Sequence, residues 1–379
     1  MIHFINNIII LLRLLFKLLR YNIISPIEFF QNYPFAGKLA LQSSLLRDRS
    51  FDDHSWGERL SRCLITLGPS FIKFGQTLAT RSDIIGRDAA LALTQLQDNL
   101  PPFSFSEVEA IVKNDFSRSI EELFSHFEKT PMAAASIAQV HCATLISGQE
   151  VAVKILRPNI DALFERDIRL LFWLARLLER FFPKTRRLRP TKVVEVFSET
   201  VKLELDLRME ASAASELAEN FSDDKDFKVP KIYWDYTSRR VLTIEKVVGC
   251  RPDDMQGLEK MRLSPRKILE KSARIFFNQV FRDGFFHGDM HPGNVFILEN
   301  GKIAPVDFGI MGRLDITTRV FLGKMLIGFL TKDYHSVARI HFKAGYISED
   351  QSIEIFAQAC RAIGEPILNR PLAEISLAN

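Results

Sequence analysis

Three oxygen-bearing side chains occur at spacings suited to holding a metal beside a reacting hydroxyl. Residues 287–294 read HGDMHPGN, which places Asp289 five positions before Asn294, and Asp307 opens the tripeptide DFG. The Asp289 carboxylate can sit beside an attacking hydroxyl or water. The amide oxygen of Asn294 and the carboxylate of Asp307 can bind Mg²⁺, a hard cation that prefers oxygen ligands. The pattern predicts metal-assisted phosphoryl chemistry.

The order of these motifs resembles that of protein kinases. The 287–294 loop is similar to the kinase catalytic loop, with Gly288 in place of Arg, and Lys154 in VAVK resembles the strand lysine that binds the α- and β-phosphates of ATP. Each motif alone is ordinary turn or strand chemistry, but together they follow kinase order. A strand lysine of this kind needs an acidic partner on a following helix, and the candidates are Glu195, Glu199, Glu204, Asp206 and Glu210.

Two further nucleotide contacts are expected, one of them in an unusual form. The segment LTIEKV resembles the connection between kinase lobes, where backbone groups of Glu245 and Val247 would bind adenine. No GxGxxG precedes VAVK. The equivalent stretch is Ala133, Ala134, Ala135 and Ser136, whose small side chains allow close approach to phosphates but make the backbone stiffer than glycine would.

Helices and short strands must position these residues. Apolar spacing predicts an α+β, bilobal, protein-kinase-like fold with a helical N-terminal extension. The strands expected are 137–146, 150–156, 231–236, 241–247, 295–298 and 302–305. The helical segments expected are 21–100, 103–127, 159–182, 190–220, 265–286 and 314–379.

Composition limits the function classes. With 379 residues the chain is expected to form two or three domains or lobes. A net charge of +4 is only mildly basic, and we expect no nucleic-acid partner. The four cysteines are far apart and form no CxxC pair, which argues against a zinc site or a disulfide framework and favours a reducing compartment.

The N-terminus is rich in both apolar and basic residues. Residues 8–19 read IIILLRLLFKLL, and Arg13, Lys17 and Arg20 share one helical face. The charges make the run too short to span a bilayer, and the order of charge and apolar residues is not that of a secretory signal. Two interpretations stay open: an amphipathic helix on a membrane surface, or a helix docked on the protein's own apolar surface.

A set of shared motifs makes the chain similar to the UbiB family of atypical kinase-like proteins, also called the ABC1 or ADCK group. That family has an alanine-rich AAAS loop, a KxGQ motif, an ExD pair, HGDxHPGN and DFG. Here KxGQ is Lys73, Gly75 and Gln76, and ExD is Glu204 and Asp206. The resemblance covers roughly residues 25–379.

The resemblance implies roles for these residues. Lys73 of the extension would pair with the ExD acids, and the strand lysine Lys154 would pair with Glu210. If all three acids lay on one helix, Asp206 and Glu210 would share a face, with Glu204 about 200° from Asp206. We therefore assign Glu210 to Lys154, and Glu204 and Asp206 to Lys73 and Gln76. Asp289, Lys154 and Glu210 are the expected catalytic group.

The implied function is that of an atypical Mg-ATP-dependent kinase or ATPase required for ubiquinone biosynthesis. Its cofactors would be ATP and Mg²⁺. Its partners would be membrane lipid, prenylphenol-type precursors and other ubiquinone-biosynthesis proteins, with a homodimer among the expected states. The protein would be peripheral on the cytoplasmic face of the inner membrane.

The implied domains are a membrane-surface helix (1–24), the helical extension (25–102), an N-lobe (103–248) and a C-lobe (249–379). Because bacterial members continue well beyond this length into apolar helices, we expect a C-terminally truncated product and an incomplete C-lobe.

Two alternatives stay open. One is a small-molecule phosphotransferase of the aminoglycoside or choline kinase type, which also uses HGDxxxxN but lacks the KxGQ and AAAS motifs. The other is a nucleotide-gated scaffold for a quinone-biosynthesis complex.

Overall fold

The computed structural model describes residues 2–23, 48–51, 53–94, 96 and 100–368. Part of the helical segment predicted over 21–100, and the end of the one predicted over 314–379, lie outside these residues. The chain forms two compact units. The first comprises residues 1–211 and 231–246, and the second comprises 212–230 and 247–379. In the described part of the chain, no helix is both long and apolar enough to cross a bilayer.

The first unit combines an antiparallel sheet with a group of helices. Its strands are β1 (Phe124–Phe127), β2 (Ala133–Ala134), β3 (Ala138–Leu145), β4 (Glu150–Leu156) and β5 (Val241–Glu245). The strand order is β1-β3-β4-β5, with β2 also paired to β3. Its helices are α1 (Ile2–Arg20), α2 (Trp56–Leu67), α3 (Pro69–Ala79), α4 (Ser82–Ile85), α5 (Arg87–Thr94), α6 (Phe105–Phe116), α7 (Ile120–Leu123), α8 (Ile160–Phe181) and α9 (Pro190–Glu204).

One apolar core joins the sheet to the helices of the extension. It includes Leu64 of α2, Phe71 of α3, Phe164 of α8, Phe197 of α9 and Leu242 of β5, all buried. The extension is therefore built into the first unit, since its apolar faces are covered by the same helices that follow the Lys154 strand.

The N-terminal helix α1 docks on this core. Leu14 is buried, and Leu11 and Leu18 pack against the same group of side chains. Lys17 donates a hydrogen bond to the carbonyl oxygen of Thr66, at the end of α2. The interpretation of α1 as a helix docked on its own protein holds for this face. A second face, with Leu12 and Phe16, stays exposed to solvent.

The second unit holds the loop with the oxygen-bearing side chains. Helix α10 (Leu207–Asn220) begins in the first unit, and its residues after Ala211 belong to the second. The other helices of the second unit are α11 (Met255–Lys260), α12 (Pro265–Phe277), α13 (Ile316–Leu330), α14 (Tyr334–Lys343) and α15 (Ile353–Leu368). Two hairpin-like sheets pair β6 (Phe285–His287) with β9 (Met311–Arg313), and β7 (Val295–Ile297) with β8 (Ile303–Pro305).

Several local predictions were wrong. The helix expected over 103–127 gives way to strand β1 at Phe124, which pairs with β3. Residues 231–236 form an isolated bridge at Ile232 and a 3₁₀ turn over Trp234–Tyr236 instead of a strand. The helix expected over 265–286 ends at Phe277, and a π-helical turn, Asn278–Asp283, follows it. The pairing of β1 with β3 and of β6 with β9 satisfies backbone groups that the two expected helices would have satisfied internally.

Candidate functional site

Lys154 and Glu210 form an ion pair in the first unit, in which the lysine contacts both carboxylate oxygens. Lys154 lies on the central strand β4, opposite Val140 of β3 and Leu242 of β5. Its Nζ is 2.9 Å from both carboxylate oxygens of Glu210, in the first turn of α10. Glu210 is buried. The pair fixes the lysine over the face of the sheet, because a buried carboxylate strongly favours a bound cation.

A second ion pair joins the extension to the ExD motif. The Nζ of Lys73, on α3, is 2.9 Å from Oε2 of Glu204, the last residue of α9. Both side chains are largely shielded from solvent. The structure thus brings together the KxGQ lysine and the first ExD acid.

The assumption that Glu204, Asp206 and Glu210 share one helix was wrong. Helix α9 ends at Glu204 and α10 begins at Leu207, so the chain breaks across the ExD motif. Asp206 Oδ1 accepts hydrogen bonds from the backbone N–H and Nε of Arg208, and Oδ2 accepts one from its guanidinium. The hydrogen bonds from Arg208 hold the pKa of the Asp206 carboxyl below its ordinary value.

The remaining KxGQ residues pack against the end of α5. Gln76 donates a hydrogen bond of 3.4 Å from Nε2 to the carbonyl oxygen of Leu96. Gly75 lies so close to its neighbours that an added Cβ would be 2.6 Å from a methyl carbon of Leu64 and 2.7 Å from one of Leu96. A larger residue at position 75 would therefore require both leucine side chains to shift, and glycine lets α3 pack closely on α2.

The alanine-rich stretch is a short strand followed by a tight turn. Ala133 and Ala134 pair with Val140 and Gln139 of β3. The N–H of Ala135 donates to the carbonyl oxygen of Ala138 at 2.7 Å. Ser136 is fully buried, and its Oγ has no hydrogen-bond partner among the described residues.

Sequence reasoning missed Arg157, which holds this turn. Its guanidinium donates to the carbonyl oxygen of Ala135 through Nε (3.1 Å) and Nη2 (2.8 Å), and through Nη2 to that of Pro101 (2.9 Å). The turn is therefore tied to the chain entering the sheet domain. Arg157 follows β4 directly. A cationic residue at the end of this strand was the one sequence feature that could have indicated its role.

The two expected adenine contacts have different surroundings. Glu245 ends β5, and its N–H donates to the carbonyl oxygen of Lys231 at 2.8 Å. That N–H is therefore already engaged by a backbone partner. Val247 begins the second unit and is partly exposed.

In the second unit, Asp289 and Asn294 contact each other. Asn294 donates from Nδ2 to Asp289 Oδ2 at 3.0 Å and to the Asp289 carbonyl oxygen at 3.3 Å. Because the amide nitrogen is held by Asp289, the amide oxygen of Asn294 points away from that carboxylate. Pro292–Asn294 form a 3₁₀ turn that brings the two side chains together.

His287 links the Asp289 loop to the DFG segment. Its Nδ1 accepts from the N–H of Asp289 at 3.1 Å, so the proton lies on Nε2, which donates to the carbonyl oxygen of Asp307 at 2.5 Å. Oδ1 of Asp307 accepts from the N–H of Gly309 at 2.9 Å, and Phe308 is buried.

A second residue missed from the sequence, Gln279, positions His287 in turn. Its buried side-chain oxygen accepts from the N–H of His287 at 2.8 Å. It lies in the π-helical turn, and such turns are frequent at functional sites. The apolar pattern across this segment gave no signal of it.

The donor set fits Mg²⁺ held together with a phosphate. In the residues that the structure describes, no group of three or more His, Cys, Asp or Glu side chains could hold a metal by itself. Asp307 and Asn294 supply hard oxygen ligands, and Mg²⁺ commonly takes one or two carboxylates plus phosphate oxygens and water. In the first unit, the Lys154–Glu210 pair holds a lysine of the kind that can bind phosphate oxygens.

Comparison with known proteins identifies the family of this chain. Residues 95–341 match the ABC1 atypical kinase-like domain. A protein of Marinobacter nauticus named "Probable protein kinase UbiB" is 42% identical over 329 residues, which are 86% of this chain and 60% of that protein. One of the same name from Aeromonas salmonicida is 38% identical over 351 residues, 91% of this chain and 64% of that protein.

A solved structure has the same fold. The Mycobacterium tuberculosis protein Rv3197, determined as a complex with erythromycin, is 28% identical, with a TM-score of 0.58 over 77% of this chain and 74% of that one. The kinase-like α+β fold predicted from the sequence is confirmed. The chain spans about 60% of the length of the curated relatives it matches. With the family domain covering more than half of its residues, this chain belongs to the ABC1 atypical kinase-like family, as its motifs predicted, and its curated relatives carry the name UbiB.

Proposed function

We propose that this chain is an atypical kinase or ATPase that uses Mg-ATP in support of ubiquinone biosynthesis, at the membrane and on or near prenylphenol intermediates. The observation that carries the proposal is the Lys154–Glu210 pair, on the strand and helix expected for a nucleotide-binding lysine. The UbiB name of the relatives supports the pathway.

Each unit would supply its own part of the chemistry. Lys154, held by Glu210, would neutralise phosphate charge, and the turn of Ala133–Ser136 would approach the phosphates through backbone N–H groups. Asn294 and Asp307 would bind Mg²⁺, which when present lowers the charge on the phosphates and polarises them. Asp289 would accept the proton of the attacking hydroxyl or water.

The stiffness of the alanine turn limits which molecules can accept the phosphoryl group. The turn is held by Arg157 and by its pairing with β3, so it has less freedom than a glycine loop to close over phosphates. We therefore expect water or a small or lipidic hydroxyl as the acceptor in preference to a protein side chain.

The test is nucleotide binding and turnover by purified protein without vesicles. Lys154→Met and Glu210→Gln should weaken Mg-ATP binding about tenfold or more, because a charge-assisted contact to phosphate is lost or misplaced. Arg169→Met is the matched control: it removes an exposed arginine–glutamate pair with Glu165 from the same unit and should leave binding unchanged. Equal binding by Lys154→Met and the control would refute the nucleotide site.

The scaffold and phosphotransferase alternatives have their own outcomes. Asp307→Asn should fail to restore ubiquinone in cells that lack this chain, and normal restoration would identify a scaffold. Transfer of labelled phosphate to a soluble amino-alcohol or aminoglycoside would identify a small-molecule phosphotransferase.

A further inference from the structure

Helices α8 and α9 form a helical hairpin, and the segment that connects them is strongly basic. Between Trp173 and Lys192 there are seven Lys or Arg residues and one Glu, a net charge of +6 where the whole chain carries +4. The remainder of the chain is therefore slightly acidic, and the excess positive charge is concentrated in this basic hairpin end (residues 173–192). The cations whose side chains are described are all exposed: Arg176, Arg180, Arg186, Arg187, Arg189 and Lys192.

The internal contacts of the hairpin end use little of this charge. Glu179 accepts a hydrogen bond from the N–H of Thr191 at 3.0 Å, within the hairpin. Arg186 donates to the carbonyl oxygen of Glu179, and Lys192 pairs with Glu195 at 2.8 Å. Glu179 thus stabilises the connection between α8 and α9, while Arg176, Arg187 and Arg189 are exposed to solvent.

Large aromatic side chains stand exposed among these cations. Phe181 is 64% exposed and Phe182 is 40% exposed, at the point where α8 ends, and Trp173 is exposed two turns earlier. The guanidinium of Arg180 lies 5.7 Å from the centre of the Phe181 ring. Exposing two large aromatic side chains at adjacent positions to water is unfavourable, and such exposure beside cations is typical of an interaction surface.

We propose that the basic hairpin end docks this protein on an anionic lipid surface, with Phe181 and Phe182 inserted at the headgroup level and the arginines on lipid phosphates. The inference rests on the membrane setting proposed above, and adds to it a surface that contains none of the residues expected to bind nucleotide. Cations near an anionic leaflet and aromatic rings at its interface both favour binding.

The shape of the segment favours a membrane over a nucleic acid. Single-stranded nucleic acid is commonly bound along a basic groove, with bases stacked on aromatic platforms. Here the aromatics lie at the end of a helical hairpin, where α8 gives way to the connection with α9. Helix α1 of the same unit also combines an exposed apolar face, Leu12 and Phe16, with an exposed Arg13.

Flotation of the full chain with vesicles, in the absence of nucleotide, tests the proposal. The vesicles are phosphatidylcholine alone, or with about a third phosphatidylglycerol to give an anionic surface. The variant Arg180→Gln/Arg187→Gln/Arg189→Gln should bind the anionic vesicles on the order of 100-fold more weakly, since each cation near such a surface contributes about fivefold. Neither vesicle should bind the variant better than the wild type.

A matched variant separates this surface from general charge. Lys113→Gln/Arg118→Gln/Lys129→Gln removes three exposed cations from another part of the same unit and should bind as the wild type does. Phe181→Ser should weaken binding about tenfold by losing partial burial of one ring, while Ile146→Ser, at a similarly exposed apolar position, should not.

Three results would overturn the proposal. They are equal loss in both triple variants, wild-type binding by the hairpin variant, or no dependence on phosphatidylglycerol. Binding of single-stranded oligouridylate that the hairpin variant abolishes, without vesicle binding, would identify a nucleic-acid surface instead. Because nucleotide turnover is measured without vesicles and flotation without nucleotide, either proposal can fail alone.

Discussion

The Lys73–Glu204 ion pair makes a quantitative prediction about stability. The two charged atoms are 2.9 Å apart, with 16% of the lysine side chain and 7% of the glutamate side chain exposed. Lys73→Met leaves the Glu204 carboxylate shielded from water without its cation. Loss of one partner of a buried pair costs about 3–5 kcal/mol, and the residual exposure places this pair near about 3 kcal/mol.

The tryptophan residues of the first unit can report its unfolding. All three tryptophans of the chain, Trp56, Trp173 and Trp234, belong to it. Urea unfolding followed by tryptophan fluorescence therefore reports the unit that contains the pair. For a unit of about 150–250 residues, a loss of about 3 kcal/mol corresponds to a melting temperature about 6–12 °C lower.

Matched variants isolate the charge from the loss of packing. Lys73→Met/Glu204→Gln should be more stable than Lys73→Met, because no uncompensated charge remains. Arg169→Met removes an exposed pair with Glu165 in the same unit and should change stability by no more than about 0.5 kcal/mol. A cost below about 1 kcal/mol for Lys73→Met, or a double variant less stable than it, would refute the reasoning.

Three further predictions concern other parts of the chain. Burial lowers the pKa of His141 below 6.5, so the unfolded state takes up the proton first and stability should fall as the pH drops below about 6.5; His141→Gln should flatten this dependence in urea midpoints. Gly249→Ala should destabilise the second unit because its Cβ would lie 2.4 Å from the Ile297 carbonyl oxygen, whereas Gly323→Ala, with its nearest contact at 3.8 Å, should be neutral or stabilising by calorimetry. Burial raises the pKa of the Cys63 thiol to about 11, so it should react with a thiol reagent at neutral pH only on unfolding, and rapid native labelling would contradict its burial.

Strands β3 and β4 of the first unit, and the hairpin after the 287–294 loop, could be predicted from the sequence. The strands at 138–145 and 150–156 alternate apolar and partly exposed residues, and Asn300-Gly301 marks the turn before Ile303. These patterns are local, so neighbouring residues suffice to specify them. The contacts of Lys154 and Lys73 followed from motifs whose members are far apart in sequence.

The break in the ExD motif could not be read from helical propensity. Leu205 and Leu207 are both buried, although positions two apart point about 200° apart on a straight helix. Ending α9 at Glu204 lets both leucines enter the core, and Asp206 then receives the N–H of Arg208 as a capping residue does. The alternation of leucine with acidic residues over 203–207 was the sequence feature that indicated a break in the helix.

Strand β1 was missed for a related reason. Its sequence, FSHF, places phenylalanines three apart, which fits a helix as well as a strand. Pairing with β3 decides between them, and that partner lies about twenty residues away. The interaction that selects the conformation is tertiary, so a window of local sequence does not contain it.

The bonds of His287 have a mechanical consequence for the DFG segment. One imidazole bridges the backbone of Asp289 and Asp307, and beside it the N–H of Gly288 is bonded to the carbonyl oxygen of Ile310. With β6 and β9 paired directly alongside, the loop and the DFG segment form one rigid piece. Moving Asp307 outward would break several of these hydrogen bonds at once, so we expect the loop and the DFG segment to keep their mutual geometry.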